Sequence, residues 1–524
     1  VTPPQEDPAA DEVAIRRIFG DGFVDWVLAV DGQPTRTPEQ LSVATLVHRA
    51  SQGVVPEGAP VPAYLRISHL GMINPDTGKT LLNELRLASG GTELVLPEPP
   101  DDNVLAALHV WAAENFGGLL LGEGGFSLGW GGQARERMTR AIAEDPALPF
   151  TIESAPTDGL LHVTSAGSAG GLQLAMLGPG IVAAAFRRAS ARCAATPELD
   201  DLLTDLPAAL NTARALYAGK AVQTLGLAGL SGVLLPEGKP ELTAPWGRVR
   251  IALETDNRLV DSLRDLTSMS LPDGSQLVSR GTGDLTVETT VPWVSEFAQQ
   301  PAESEFPSAI SSSSYSHLER RVQDVRLAFA LAMDNPHLPP LLPTWAKIDN
   351  PIADVTGYTM TEIARLRQRT PTRLSVEQAE EWERWIAVLD GLALENLGHA
   401  SQRLLRAITE RQDPVDALVD AVIVWESIFG THSEITFRVC ASLARLLCHT
   451  LEERLVFMKK AKGVYTMRSK IVHGASDVKM EKISESRDVA VQVAIAALRA
   501  VLQERPDLLA FADSGKRSEH IMLE

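Results

Sequence analysis

From Ser375 onward, helix start and stop signals follow one another so closely that the end of the chain is committed to a helical bundle. Ser375-Val376-Glu377-Gln378 is a capping box, in which the serine hydroxyl takes a backbone N–H three residues on and Gln378 reaches back. The helical pattern then runs with breaks to Glu410. Asp413 is a good N-cap and Pro414 suits the first helical position, which predicts a helix through Phe429. Ser433 is placed to cap the next, through His449. Glu452 to Val472 forms a fourth, stopped by Gly474, and Glu485 to Gln503 a fifth before Pro506. Helices joined by such short connections form a bundle.

The chain ahead of Ser375 reads differently, so the fold class expected is α+β: a mixed, β-containing N-terminal region followed by an all-α bundle. After a short helical pattern, Phe23 to Val30 reads as a strand closed by a turn at Asp31-Gly32. A second strand is expected at Tyr64 to Ser68, and a tight turn over Gly71 to Thr80. Glycines from Gly117 to Gly132 suggest weak β structure with close backbone approaches. A strand near Leu160 to Thr164, a loop over Ser165 to Gly171, and helices over Leu172–Ala191 and Pro197–Ala218 follow. The pattern changes at Ala244-Pro245-Trp246-Gly247, where a new strand starts at Arg248. Ser308 to Ser316 reads as a loop, His317 as lying near a helix start, and the prolines at 336, 339, 340 and 343 as an extended linker. These shifts divide the chain into a mixed region 1–245, a middle region 246–374, a bundle 375–510 and a polar tail 511–524.

Several chemistries are disfavoured. With 48 Lys+Arg against 67 Asp+Glu, the net charge of −19 argues against a protein that coats nucleic acid along its whole surface. Gly71 to Thr80 fails as a phosphate loop, because the motif wants glycine where Ile73 stands. Gly122 to Gly132 fails as a dinucleotide fingerprint, because Ser127 holds the third glycine's place. No cofactor is therefore assigned. Cys193, Cys440 and Cys448 offer neither a disulfide framework nor a zinc site, and Cys440 and Cys448 are expected on one face of a helix core. With no leader-like start and no apolar run of membrane length, a cytoplasmic location is expected.

One stretch carries chemistry. Tyr465-Thr466-Met467-Arg468-Ser469-Lys470-Ile471-Val472-His473-Gly474 joins an arginine, which can fork donors onto a phosphate, to a histidine that exchanges protons near neutral pH. Together they are suited to cut a phosphodiester without metal. The spacing alone carries little weight, but between Arg454 and His473 there is no Asp or Glu, and six of the chain's 11 lysines cluster nearby. Lys459, Lys460, Lys462 and Lys470 form a local basic patch able to hold a polyanion, although a solvated helix face explains the run equally well.

The bundle's residues also resemble a family. Asp413-Pro414-Val415-Asp416-Ala417-Leu418-Val419-Asp420, Val424-Trp425-Glu426-Ser427-Ile428-Phe429, Glu434-Ile435-Thr436-Phe437-Arg438, Ala444-Arg445-Leu446-Leu447 and Tyr465 to Gly474 follow one another as in the ApeA-like branch of the HEPN superfamily. The resemblance covers the C-terminal quarter and departs at Trp425, where relatives more often carry leucine. It implies a small, dimeric helical bundle with metal-independent ribonuclease activity in antiphage defence. It further implies that Arg468 and His473 are the catalytic pair and Ser469 the polar residue beside them. On an ideal helix Arg468 and His473 lie about 140° apart, so either the helix unwinds near Gly474 or a second copy completes the site. Ser469 is suited equally to orienting the phosphate and to capping the helix end. Tyr465 is suited to stacking near Arg468 or to packing. Glu426, a charge in an apolar stretch, is expected to pair with Arg445 or Arg468. The partners implied are RNA, tRNA included, a second copy of the chain and a phage-derived trigger. A HEPN module that binds nucleotide or RNA, or dimerises, without cutting is the alternative, and a bundle serving only to dimerise an active N-terminal region is a third reading.

Overall fold

The computed structural model describes residues 8–30, 35–53, 63–121, 132–148, 160–165, 168–193, 196–253, 268–270, 276–278, 283–298, 312–339, 341–353, 358–360, 371–411, 413–431, 434–473 and 479–524. The chain opens on helices α1 (Pro8–Phe19), α2 (Asp21–Val27), α3 (Pro38–Gly53), α4 (Ala63–Arg66), α5 (Leu81–Ala88), α6 (Asn103–Leu119) and α7 (Gln133–Glu144). Phe23 to Val27, expected as a strand, is therefore helical. Phe23, Val24, Trp26 and Val27 are all buried, and a short helix enclosed on several sides leaves the same unbroken apolar run as a buried strand. Arg16 holds it by ion pairs to Asp21 at 2.9 Å and Asp25 at 2.6 Å. Tyr64 to Ser68 is likewise helical, as α4 running into a 3-10 turn over Ser68–Gly71, because five residues are too few to show a period. The turn at Gly71 to Thr80 is present: Gly78 has φ +69° and donates to the Asn74 carbonyl at 2.8 Å. Gly117 belongs to α6 rather than to β structure, and a Cβ there would lie 2.3 Å from the Trp26 ring. The expected turn at Asp31-Gly32 and the glycine cluster 122–131 lie outside the described residues.

Strands β1 (Leu160–Ser165) and β2 (Ser168–Gln173) form an antiparallel pair, which corrects the loop expected over Ser165 to Gly171. Small residues signal neither period, and the backbone ladder decides the structure. Helices α8 (Leu174–Arg192) and α9 (Leu199–Tyr217) follow as expected. Then come β3 (Val222–Ser231), β4 (Val233–Leu234), β5 (Glu241–Ala244), β6 (Gly247–Ile251), β7 (Ser268–Ser270), β8 (Gln276–Val278), β9 (Leu285–Trp293), β10 (Ser295–Ala298), helix α10 (Ser312–Met333), β11 (Leu342–Ile348), β12 (Tyr358–Met360) and β13 (Thr372–Arg373).

The main sheet has 6 strands in the order β12-β11-β3-β9-β6-β5, every neighbouring pair antiparallel. Position 245 falls within the β5–β6 hairpin, so one sheet draws strands from both sides of the composition shift. Gly247 is needed there, since a Cβ would stand 2.1 Å from the Glu288 carbonyl oxygen. Two further corrections concern the middle region. The serine-rich loop becomes helix at Ser312, tied by the Ser314 hydroxyl to the Pro292 carbonyl at 2.5 Å, and His317 falls in the second turn. The proline linker gives way to β11, where Pro343 is tolerated at a register shift between Pro343 and Trp345.

The chain then becomes all-α: α11 (Val376–Leu389), α12 (Ala400–Leu405), α13 (Pro414–Phe429), α14 (Ile435–Leu447), α15 (Leu451–Val472), α16 (Met480–Arg499) and α17 (Ser514–Leu523). The Ser375/Gln378 capping box forms, with bonds of 3.2 and 3.0 Å, and Asp413 caps α13 by accepting from the Val415 N–H at 2.9 Å. Helix α14 starts after Glu434, which takes the left-handed conformation at φ 50°, while Ser433 and Gly474 lie outside the described residues. Because α14 stops at Leu447, Cys448 lies in extended backbone and does not share a helix face with the buried Cys440, whose thiol burial pushes up to about 11. Residues 511–524 are not a loose polar tail. Arg517 of α17 is 1% exposed and donates to the carbonyls of Ser427 (2.7 Å), Ile428 (2.8 Å), Asn396 (2.9 Å) and Phe511. Among the described residues no helix is long and apolar enough to cross a membrane.

Helix α10 joins the two parts. On one side it packs on β9, and on the other Phe329 meets Trp382 of α11 at 5.0 Å between ring centroids, while Trp382 Nε1 donates to the Val325 carbonyl at 3.0 Å.

Candidate active site on α15

Thr450 begins α15 with a second capping box: its hydroxyl takes the Glu453 N–H at 3.2 Å, and Glu453 takes the Thr450 N–H at 2.9 Å. Only Ala461, Val464 and Tyr465 of this helix are buried. Tyr465 points into the bundle, its ring 5.9 Å from that of Trp425, whose Nε1 is held by the Ala490 carbonyl at 3.1 Å. Glu426, one residue beyond Trp425 on α13, faces the same interior.

Three of the expected site residues meet here. Burial raises the Glu426 carboxyl above the usual range, and the nearby positive charge of Arg468 and the Tyr465 hydroxyl oppose that rise. Burial, reinforced by the charge of Glu426, pushes the Tyr465 phenol upward. The Tyr465 hydroxyl faces Glu426 without closing a hydrogen bond, and Arg468 Nε is also buried without a partner. Among the described residues no ion pair joins Glu426 to Arg468 or to Arg445; Arg468 is the cation whose charge acts on the Glu426 carboxyl.

His473 stands apart. It is exposed at the C-cap of α15, and its backbone N–H donates to the Ser469 carbonyl at 3.0 Å. No hydrogen bond joins it to Arg468 among the described residues. Ser469 and Lys470 are exposed between them, and the Thr466 hydroxyl turns back to the Lys462 carbonyl at 2.9 Å. Lys459, Lys460 and Lys462 are exposed as well; Lys462 lies over the Phe437 ring at 5.5 Å. None of these four lysines has an ion-pair partner among the described residues. The same helix exposes Leu455 (61%) and Val456 (67%). Gly463 stands in mid-helix with nothing within 4 Å of where its Cβ would be.

Two other charged groups went unassigned from the residue patterns. Asp420, 2% exposed, receives Arg403 at 2.5 Å and Arg411 at 2.8 Å, which anchors α13 to the segment before it. Asp507, His520 and Glu524 place their ligand atoms within 4.8 Å of one another, the one such group among the described residues that could hold a metal ion. Arg505 already donates to both carboxylates at 2.7–2.8 Å, which offsets part of the cluster's charge within the chain. Its only signal in the sequence was the four-residue spacing of His520 and Glu524. No family model, no curated protein and no solved structure matches the chain.

Proposed function

We propose that the C-terminal bundle is a HEPN-type, metal-independent endoribonuclease that works as a homodimer. Arg468 grips the scissile phosphate, and His473 acts as base on the RNA 2′-hydroxyl or as acid for the leaving 5′-oxygen. The product is a 2′,3′-cyclic phosphate, and DNA, which has no 2′-hydroxyl, resists. The observation that carries this reading is Arg468 itself, a guanidinium whose Nε is buried beside the half-buried Glu426 and the buried Tyr465, on a helix that also exposes four lysines. Since His473 does not reach Arg468 within one chain, the complementary histidine comes from a second α15. The exposed Leu455 and Val456 and the open space at Gly463 give that second helix a surface to cross. In this reading the enzyme acts in the cytoplasm in antiphage defence by abortive infection, cutting RNA, tRNA included, after the N-terminal region meets a phage-derived trigger.

Total RNA incubated with the purified chain in EDTA tests the proposal. Cleavage to cyclic-phosphate ends is expected, and His473→Ala or Arg468→Ala should lower its rate about 10²- to 10⁴-fold. The same apolar face favours a second reading, a dimerisation module that does not cut. Under that reading neither wild type nor variant cleaves RNA, yet Gly463→Leu still shifts dimer to monomer in sedimentation.

A further inference from the structure

A cleft of about 440 Å³ lies between α8, α9 and the β3–β9–β11 part of the sheet. Pockets that enclose small ligands start at about 300 Å³, so this one has room for more than a bare ion. Three arginines of α8 line it, and they are not equivalent. Arg187 is pinned by its bonds to the carbonyls of Asn350 at 2.6 Å and Ala353 at 3.1 Å, and stands 3.5 Å from an Asp349 oxygen. Arg192 is engaged by Asp201 at 3.3 Å and Asp205 at 3.1 Å. Arg188, between them in sequence, is exposed and donates only to the Thr212 hydroxyl, at 3.2 Å. It has no carboxylate partner among the described residues, in a chain where acids outnumber bases 67 to 48. A planar fork of donors held by a neighbouring hydroxyl and left without a counter-ion is suited to a phosphate.

The rest of the lining calls for something attached to that phosphate. Asp349 is 7% exposed, and its Oδ1 is buried with no hydrogen bond although Lys347 Nζ is 3.3 Å away. With Arg187 Nε 3.5 Å from its other oxygen, the Asp349 carboxylate is held between two cations at the cleft wall. Leu225 and Pro351 supply apolar wall. We infer that this cleft binds a small phosphorylated ligand of nucleoside monophosphate size. The phosphate sits on Arg188 beside Thr212, and the ring lies against Leu225 and Pro351. The site is separate from α15 and does not depend on the ribonuclease reading.

Calorimetric titration of the full chain with the four ribonucleoside 5′-monophosphates, and with inorganic phosphate as control, tests the inference. At least one nucleotide should bind once per chain with Kd below about 1 mM. Arg188→Glu should weaken it about tenfold or more, and Thr212→Val by less, with melting curves unchanged. Lys459→Glu should leave binding as it is, which separates this cleft from the basic face of α15. The inference is overturned if no nucleotide binds in that range, if Arg188→Glu binds as tightly as wild type, or if inorganic phosphate binds as well as any nucleotide.

Discussion

Arg517 spreads its guanidinium over four carbonyls from three places in the chain, and among the described residues no carboxylate hydrogen-bonds to it. Burial depresses its pKa, yet an arginine stays charged at neutral pH, so those carbonyls are its solvation. Arg517→Met fills a similar volume and leaves buried acceptors unanswered. It should cost about 3–5 kcal/mol, read from the shift of a urea unfolding midpoint. Nothing about Arg517 was legible in the sequence, because one polar residue near a chain end carries no period and its partners are backbone atoms. Glu426 was legible, because a lone charge in the apolar run Val424 to Phe429 needs a partner. The expected ion pair with Arg445 or Arg468 does not form among the described residues; packing brings Arg468 near enough only for its charge to act on the carboxyl.

Helix α10 carries a titration that its own sequence hides. Burial lifts the Asp324 carboxyl to about 6, with Arg321 and Arg320 pulling it down and Asp390 pushing it up. The folded chain therefore favours the protonated form. That contribution is complete below the ordinary value of 3.8 and is lost as pH rises through about 6. Asp324→Asn keeps the neutral form at every pH. It should stabilise the chain at pH 7 by about 1–3 kcal/mol, discounted by the lost Arg321 contact, and the gain should vanish at pH 4 in paired denaturation curves. Elements were legible where caps announced them, as at Ser375 and Asp413. They were misread where burial surrounds a short segment, as at Phe23 to Val27, and where a bulge rescues a proline, as at Pro343.

At the scale of the molecule, a mixed α/β part precedes an all-α part, as composition and pattern suggested. The order of the main sheet was not legible, since pairing β3 with β9 and β11 joins residues far apart in sequence and depends on which faces bury each other. The cleft beside Arg188 was invisible for the same reason. Its lining comes from two helices, two strands and a turn that only the fold assembles.

Helix α10 is tied on both sides: the Ser314 hydroxyl is bonded to Pro292 of β9, and Phe329 meets Trp382 edge to face. Melting either part thus strips the other of a wall of its interior, so heat should take the whole chain apart in a single calorimetric peak rather than two. A gene fragment starting at residue 375 would then yield a bundle with a bare tryptophan groove, prone to clump, and shuffling this bundle between proteins would require carrying that one helix along with it.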